Sequence, residues 1–240
     1  MAITPFLAMT AAEMGNCAHL PPKIAWMACH FSPYGRGLSN LPPSLPEGSV
    51  LMVDDMTPMH GHDPEIITQQ LIDVMQHQRL TGILLDFQRK EIPEEAELAT
   101  YLTQALPCPV IVSEHYADHT SVFLSPVPLS APLQDYLSPW KGKDIWLDLG
   151  CWGEILALTE EGCQSSPLPP WELPEEGFME ENLHCHYRIT EKRSAIEFTL
   201  WRTEEDLTAL LQEAEELGIS NAVGLNQELK NYFYIAKAAV

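Results

Sequence analysis

Apolar residues along the chain fall into two patterns. Short apolar runs, at residues 23–29, 49–54, 82–87, 109–113, 121–124 and 144–149, read as β-strands. Between some of them the apolar positions take helical spacing. Ile67, Leu71, Val74 and Met75 form one such stripe, behind an Asp63-Pro64 start that supplies an N-cap and a proline at the first helical position. Leu98, Tyr101, Leu102 and Ala105 form an inward face on a helix that begins near Pro93 and ends about Leu106. The best-signalled helix is capped by Thr203 with Asp206 three residues on, and Gly218 stops it. Leu207, Leu210, Leu211, Ala214 and Leu217 line its inner face.

The second half adds hairpins. Residues 153–163 read as one, with a Glu-Gly turn, and the proline-rich stretch 165–177 as a surface loop. Residues 183–190 and 195–201 form a second hairpin, the latter serving as strand seven. Residues 220–224 are the eighth strand and 226–237 a last helix. The first 22 residues read as an irregular segment. Eight strands, several followed by helices, predict an α/β fold: one (β/α)8 TIM-barrel domain over residues 1–240, with β-hairpin insertions in its second half.

That architecture selects candidate residues, because barrel sites form at the carboxyl ends of the strands. In strand order the ends offer His30 and Tyr34; Asp54 and Asp55; Asp86 and Gln88; and Glu114, His115 and Tyr116. Later strands offer Asp148 and Trp152, Trp201 and Arg202, and Asn226 and Gln227. Carboxylates, amides and aromatics at one mouth suit a sugar, whose ring faces stack on aromatics while its hydroxyls take hydrogen bonds. The strand 82–87 is the most telling. Alternate residues share a face, so Leu84, Asp86 and Gln88 point the same way, and an apolar run ends in carboxylate-x-amide.

Composition narrows the partners. A chain of 240 residues that is 45% hydrophobic and 20% charged is globular. Its formal net charge of -21, from 34 acidic and 13 basic residues, disfavours nucleic acid and anionic membranes as partners. There is no apolar run of the roughly 18 residues that span a bilayer, and no basic n-region before an apolar core. Six cysteines without a C-x-x-C pair read as reduced thiols, which makes cytoplasmic the expected location. No dinucleotide-binding glycine motif, Walker loop or nucleophile elbow occurs, so no cofactor is expected.

His60-Gly61-His62-Asp63 supports a rival reading, a metal-dependent hydrolase, because two imidazoles two residues apart can share an ion with an Asp as a further ligand. Asp63 has the competing role of helix cap. His184 and His186 share a strand face with Arg188 and Thr190, the polar, solvated side of a hairpin.

The stretch Thr81-Gly82-Ile83-Leu84-Leu85-Asp86-Phe87-Gln88 resembles the Asp-Gly-x-Asp-x-Asp-x-Glu signature of glycoside hydrolase family 18, the chitinase-like barrels. Gly82 and Asp86 keep their places; Thr81, Leu84 and Gln88 replace the first Asp, the second Asp and the terminal Glu. The resemblance implies that Asp86 orients a substrate acetamide and stabilises positive charge, while Gln88 stands where the proton donor belongs. An amide cannot donate a proton as a carboxylic acid can. The family also places a Trp on its last strand, where this chain reads Ala222-Val223-Gly224-Leu225-Asn226. The family carries its signature on the fourth strand; on the count above it falls on the third. The expectation is a glycosidase-like barrel that binds a saccharide or related polar ligand without the inherited acid. Asp86 is central, with His30, Tyr34, Asp54, Gln88, Tyr116, Trp201 and Asn226 as ligand-binding candidates. An active hydrolase with Glu114 as the replacement acid, or a non-catalytic interaction protein, are the alternatives.

Overall fold

The computed structural model of the protein describes residues 3–116 and 120–230. Eight parallel strands close into a barrel: β1 (Phe6–Met9), β2 (Ile24–Phe31), β3 (Val50–Asp54), β4 (Gly82–Asp86), β5 (Val110–Ser113), β6 (Ser121–Phe123), β7 (Asp144–Leu149) and β8 (Asn221–Leu225). Each strand pairs with the next, and β1 closes the ring by pairing with both β2 and β8. This is the predicted (β/α)8 barrel.

Two strands differ from expectation. Residues 6–9, read as irregular, form β1, and a helix α1 (Ala11–Asn16) follows behind a capping box of Thr10 and Glu13. Residues 195–201, read as barrel strand seven, instead pair antiparallel with Gly153–Thr159 and Cys185–Lys192 outside the barrel. The two errors cancel in the count but shift its order. Counting β1 makes Gly82–Asp86 the fourth strand, the position that the resemblance assigns to the signature.

Helices α2 (Pro64–His77) and α3 (Pro93–Ala105) pack Ile67, Leu71, Leu98 and Leu102 against outward-facing Leu51, Ile83, Leu85 and Phe87. Asp63 caps α2 as predicted, accepting from Glu65 N. After β6 comes a single-turn α4 (Leu133–Leu137). Helix α5 (Glu204–Glu216) buries Leu207, Leu210, Leu211 and Ala214 against a second cluster that includes Leu147 and Leu149, and α6 (Asn226–Lys230) follows β8 directly. Tyr101, Ala105 and Leu217 face solvent, so the buried stripes are narrower than predicted. Residues 231–237 of the expected last helix lie outside the described residues. No helix among the described residues is long and apolar enough to cross a membrane.

Inside the barrel, Phe6, Ala8, Ala25, Val50, Met52, Leu84, Ile111, Phe123, Trp146 and Val223 form one apolar core. Between β7 and α5 stands a five-stranded antiparallel sheet, in the order 162–168, 153–159, 195–201, 185–192, 178–180. Both expected hairpins are present. The expected loop 165–177 is instead partly an edge strand (Gly162–Leu168) and a 3-10 turn (Pro170–Glu172).

This sheet is fixed to the barrel through Arg202, which is only 1% exposed. Its guanidinium donates to the carbonyls of His184, Val127 and Leu183 at 2.9 Å each, and its backbone N–H to Trp152 O at 3.0 Å. His184 and His186 do not face solvent as expected. They reach α5, at Glu213 (2.5 Å) and Asp206 (3.1 Å); His184 lies before the strand with φ 47, while His186 stays within it.

Candidate functional site

Strand alternation builds the site. On β3, β4 and β7 the residues following the apolar core at Met52, Leu84 and Trp146 on the same face are Asp54, Asp86 and Asp148. All three stand at the carboxyl ends of their strands and line one cavity of about 450 Å³. Gln88, two residues past Asp86, turns into the same cavity and its Nε2 donates to Asp86 Oδ1. Met27, Met52, Phe123 and Trp152 give the cavity apolar walls, and Glu228 of α6 completes its acidic lining. From β8 the cavity receives Val223, Gly224 and Leu225, with no aromatic ring. A side chain at Gly224 would meet the Leu149 carbonyl at 2.8 Å, so the close β7–β8 approach requires glycine there.

Burial of these carboxyls sets their chemistry. The Asp148 carboxyl is pushed up to about 7, first by burial and then by the charges of Asp86 and Glu228. Asp86 is pushed up to about 6 by burial, against the opposing hydrogen bond from Gln88 and with the help of Asp54 and Asp55. Asp54 and Glu228 are both raised by burial. Met56 N opposes this at Asp54 (3.0 Å), and Cys151 N opposes it at Glu228 (2.9 Å). No Lys, Arg or His lines the cavity among the described residues. The Trp152 Nε1 is buried and has no hydrogen-bond partner among the described residues.

The other predicted residues lie elsewhere. His30 pairs in register with Asp54 on the neighbouring strand and its charge acts on that carboxyl. Tyr34 is fully exposed. Asp55 reaches the cavity edge but its Oδ2 accepts from Arg89 N (2.8 Å) and Nε (3.2 Å). Tyr116 belongs to the same outer network; its hydroxyl is 2.8 Å from both Glu95 Oε2 and the Arg89 carbonyl. Glu114 and His115 share its 3-10 turn, and Glu114 accepts a hydrogen bond from Ser125 Oγ beside the cavity-lining Pro126. Trp201 is buried in the antiparallel sheet and stacks on His186 at 5.6 Å. Asn226 is buried and donates to Glu13 Oε1 at 3.2 Å, while Gln227 is exposed.

Glu228 was not legible as a site residue. It lies on α6, beyond the strand end, and enters the site because α6 begins immediately after β8. The His60–His62 pair is not drawn into the mouth. His62 Nε2 meets the Ser32 carbonyl at 3.1 Å and its ring lies 5.1 Å from Phe31, Asp63 pairs with Arg36 at 2.8 Å, and His60 is exposed. No group of three or more His, Cys, Asp or Glu among the described residues is placed to hold a metal ion.

No family model matches the sequence. A search of curated proteins finds no match either. Solved structures do match the fold. A chitinase-like agglutinin from Robinia pseudoacacia superposes with a TM-score of 0.60 at 10% identity, covering 93% of this chain and 94% of its own. The fold is chitinase-like. A mutant family-18 chitinase from Cycas revoluta, solved in complex with (GlcNAc)4, matches with a TM-score of 0.58 at 10% identity over 92% of this chain and 94% of its own. The Bacillus cereus spore cortex-lytic enzyme SleL matches at 0.52 and 8% identity over 84% of this chain, which spans only 63% of that longer protein. At such identities the shared property is the barrel itself.

Proposed function

We propose that this chitinase-like barrel binds a saccharide at the strand carboxyl ends and lacks the proton donor of the hydrolases it resembles. The observation that carries the reading is the pair on β4. Asp86 points into the cavity, and the residue in the donor's place is an amide whose N–H is committed to that same carboxylate. Losing a general acid costs about 10²–10⁴-fold in rate. The apolar walls at Met52, Phe123 and Trp152 fit ring faces, and the carboxylates fit hydroxyls. That one structural neighbour is named an agglutinin is consistent with binding as the working activity of such a barrel.

The test is binding and turnover of N-acetylglucosamine oligomers by the wild type and by Gln88→Glu. Wild-type binding without turnover, with turnover appearing in Gln88→Glu, is the expected result. Absence of binding to any glycan would overturn the reading.

A second reading is favoured by the place of Asp148, which lines the same cavity at the end of β7 and whose carboxyl burial pushes up to about 7. It is a better replacement acid than Glu114, which accepts from Ser125 and does not line the cavity. Wild-type turnover that Asp148→Asn abolishes would establish this reading in place of the first.

A further inference from the structure

The turn after β7 carries both a wall of the cavity and the root of the inserted sheet. Gly150, Cys151 and Trp152 lie between Leu149, where β7 ends, and Gly153, where the sheet begins. Trp152 lines the cavity and packs against the cluster of Leu129, Cys185 and Leu200 at the foot of the sheet. Cys151 is buried in a different cluster, the one that holds Leu147, Leu207 and Leu211. Neighbours in the chain thus enter separate cores, and the backbone between them decides where the indole stands.

Two hydrogen bonds fix that backbone. The Trp152 carbonyl accepts from Arg202 N at 3.0 Å, on the sheet side. Glu228 Oε2 accepts from Cys151 N at 2.9 Å, from its place on α6. A backbone N–H given to a carboxylate makes a charge-assisted bond, roughly twice as strong as a neutral one. Gly150 leaves room for the arrangement. A Cβ there would stand 3.3 Å from Trp152 Cδ1 and 3.8 Å from Glu228 Oε2, so indole, turn and carboxylate share one corner. Because α6 begins directly after β8, the same bond ties the ends of β7 and β8 together.

Resting on the saccharide reading above, we propose that Glu228 is a positioning residue. Through the Cys151 N–H it holds the turn after β7 so that Trp152 stands as the wall against which a sugar ring lies. Its part is geometric: the position requires an oxygen acceptor for that N–H, whereas the carboxylate charge is dispensable.

The test compares Glu228→Leu with Glu228→Gln in the full chain. Titration calorimetry with tri-N-acetylglucosamine reads binding, and fluorine NMR of protein labelled with 5-fluorotryptophan reads the wall. The chain has six tryptophans, and Trp152→Phe identifies the resonance of Trp152. Glu228→Leu should weaken binding of the oligomer about tenfold, the scale of one lost hydrogen bond to a charged group. It should also move the Trp152 resonance while that of Trp26 on β2 stays in place. Glu228→Gln, whose amide oxygen accepts the same N–H, should recover most of the binding and return the resonance. Equal losses in the two variants would make charge the contribution of Glu228 and would overturn the proposal. A Trp152 resonance that Glu228→Leu leaves unmoved would overturn it as well, and so would movement of every resonance, which would assign Glu228 to the fold as a whole. If the wild type binds no oligomer, the saccharide reading falls, and the fluorine spectra alone decide whether Glu228 sets Trp152.

Discussion

Asp54 and Asp55 are neighbours in the chain with opposite circumstances. Asp55 is 4% exposed and is answered by Arg89, whose guanidinium also meets Glu95 at 2.5 Å beneath the Tyr116 hydroxyl. Asp54 lines the cavity with Asp86 and Asp148, where no Lys, Arg or His among the described residues lines the wall. On the outer side of the strands each charge has its partner and the cluster braces the loop after β4. On the inner side the carboxyls are left unpaired and rise toward neutrality. Buried charge on the outer side is compensated within the chain; on the inner side it is relieved by protonation instead.

The sharpest way to break this contrast is Arg89→Met. It strands Asp55 and Glu95, and removing one member of a buried ion pair costs about 3–5 kcal/mol. Urea denaturation should show a lower midpoint with an unchanged slope; an unchanged midpoint would mean the outer network contributes nothing.

Asp148→Asn should act in the opposite direction. A carboxyl whose folded value is raised from 3.8 to about 7 leaves stability untouched well below 3.8 and subtracts from it progressively as pH rises through that window. The variant should therefore match the wild type near the acid end and exceed it by up to about 4 kcal/mol above the upper value. Parallel stability curves for the two proteins across pH would refute the unpaired state of Asp148.

The smallest test is the most direct: Asp55→Asn should lose about 1–3 kcal/mol, whereas Asp54→Asn should be neutral or stabilising. Thermal melts of the two at neutral pH compare them, and a loss of similar size in both would erase the distinction.

The barrel was legible because most of its strands and helices announce themselves separately. What misled was the kind of strand. Phe6–Met9 is only four residues, all buried, and too short to stand out as a run, although Thr10-Ala11-Ala12-Glu13 behind it carries a capping-box spacing that marks a helix start. Ala195–Trp201 passed for a barrel strand, yet its polar Glu197 and Thr199 interrupt an apolar set at Ile196, Phe198 and Leu200. The polar interruptions mark it off from the enclosed strands, such as Val50–Asp54, which read as continuous apolar runs; its burial rises toward the barrel end, from exposed Ile196 to buried Thr199, Leu200 and Trp201. Within the barrel, period-two alternation put Asp86 on the face of Leu84 and Gln88 and the strand-end rule offered Asp54; both line the cavity. Alternation had no purchase outside the barrel strands, where Tyr34 stands exposed, Tyr116, Trp201 and Asn226 meet other partners, and Glu228 enters from a helix.

Closing β1 onto β8 joins the eight barrel strands into a ring, with only the two-residue Leu38–Ser39 added antiparallel on β2 among the described residues, but the inserted five-stranded sheet ends in two open borders. One is Phe178–Glu180, only three residues long; the other is Gly162–Leu168, polar through Gln164, Ser165 and Ser166 and interrupted by Pro167, which has no N–H to donate. Brevity on one side and a proline on the other deny a neighbouring molecule a template on which to add its own strand. The appended sheet can thus stand out from the barrel without becoming a seed for self-association.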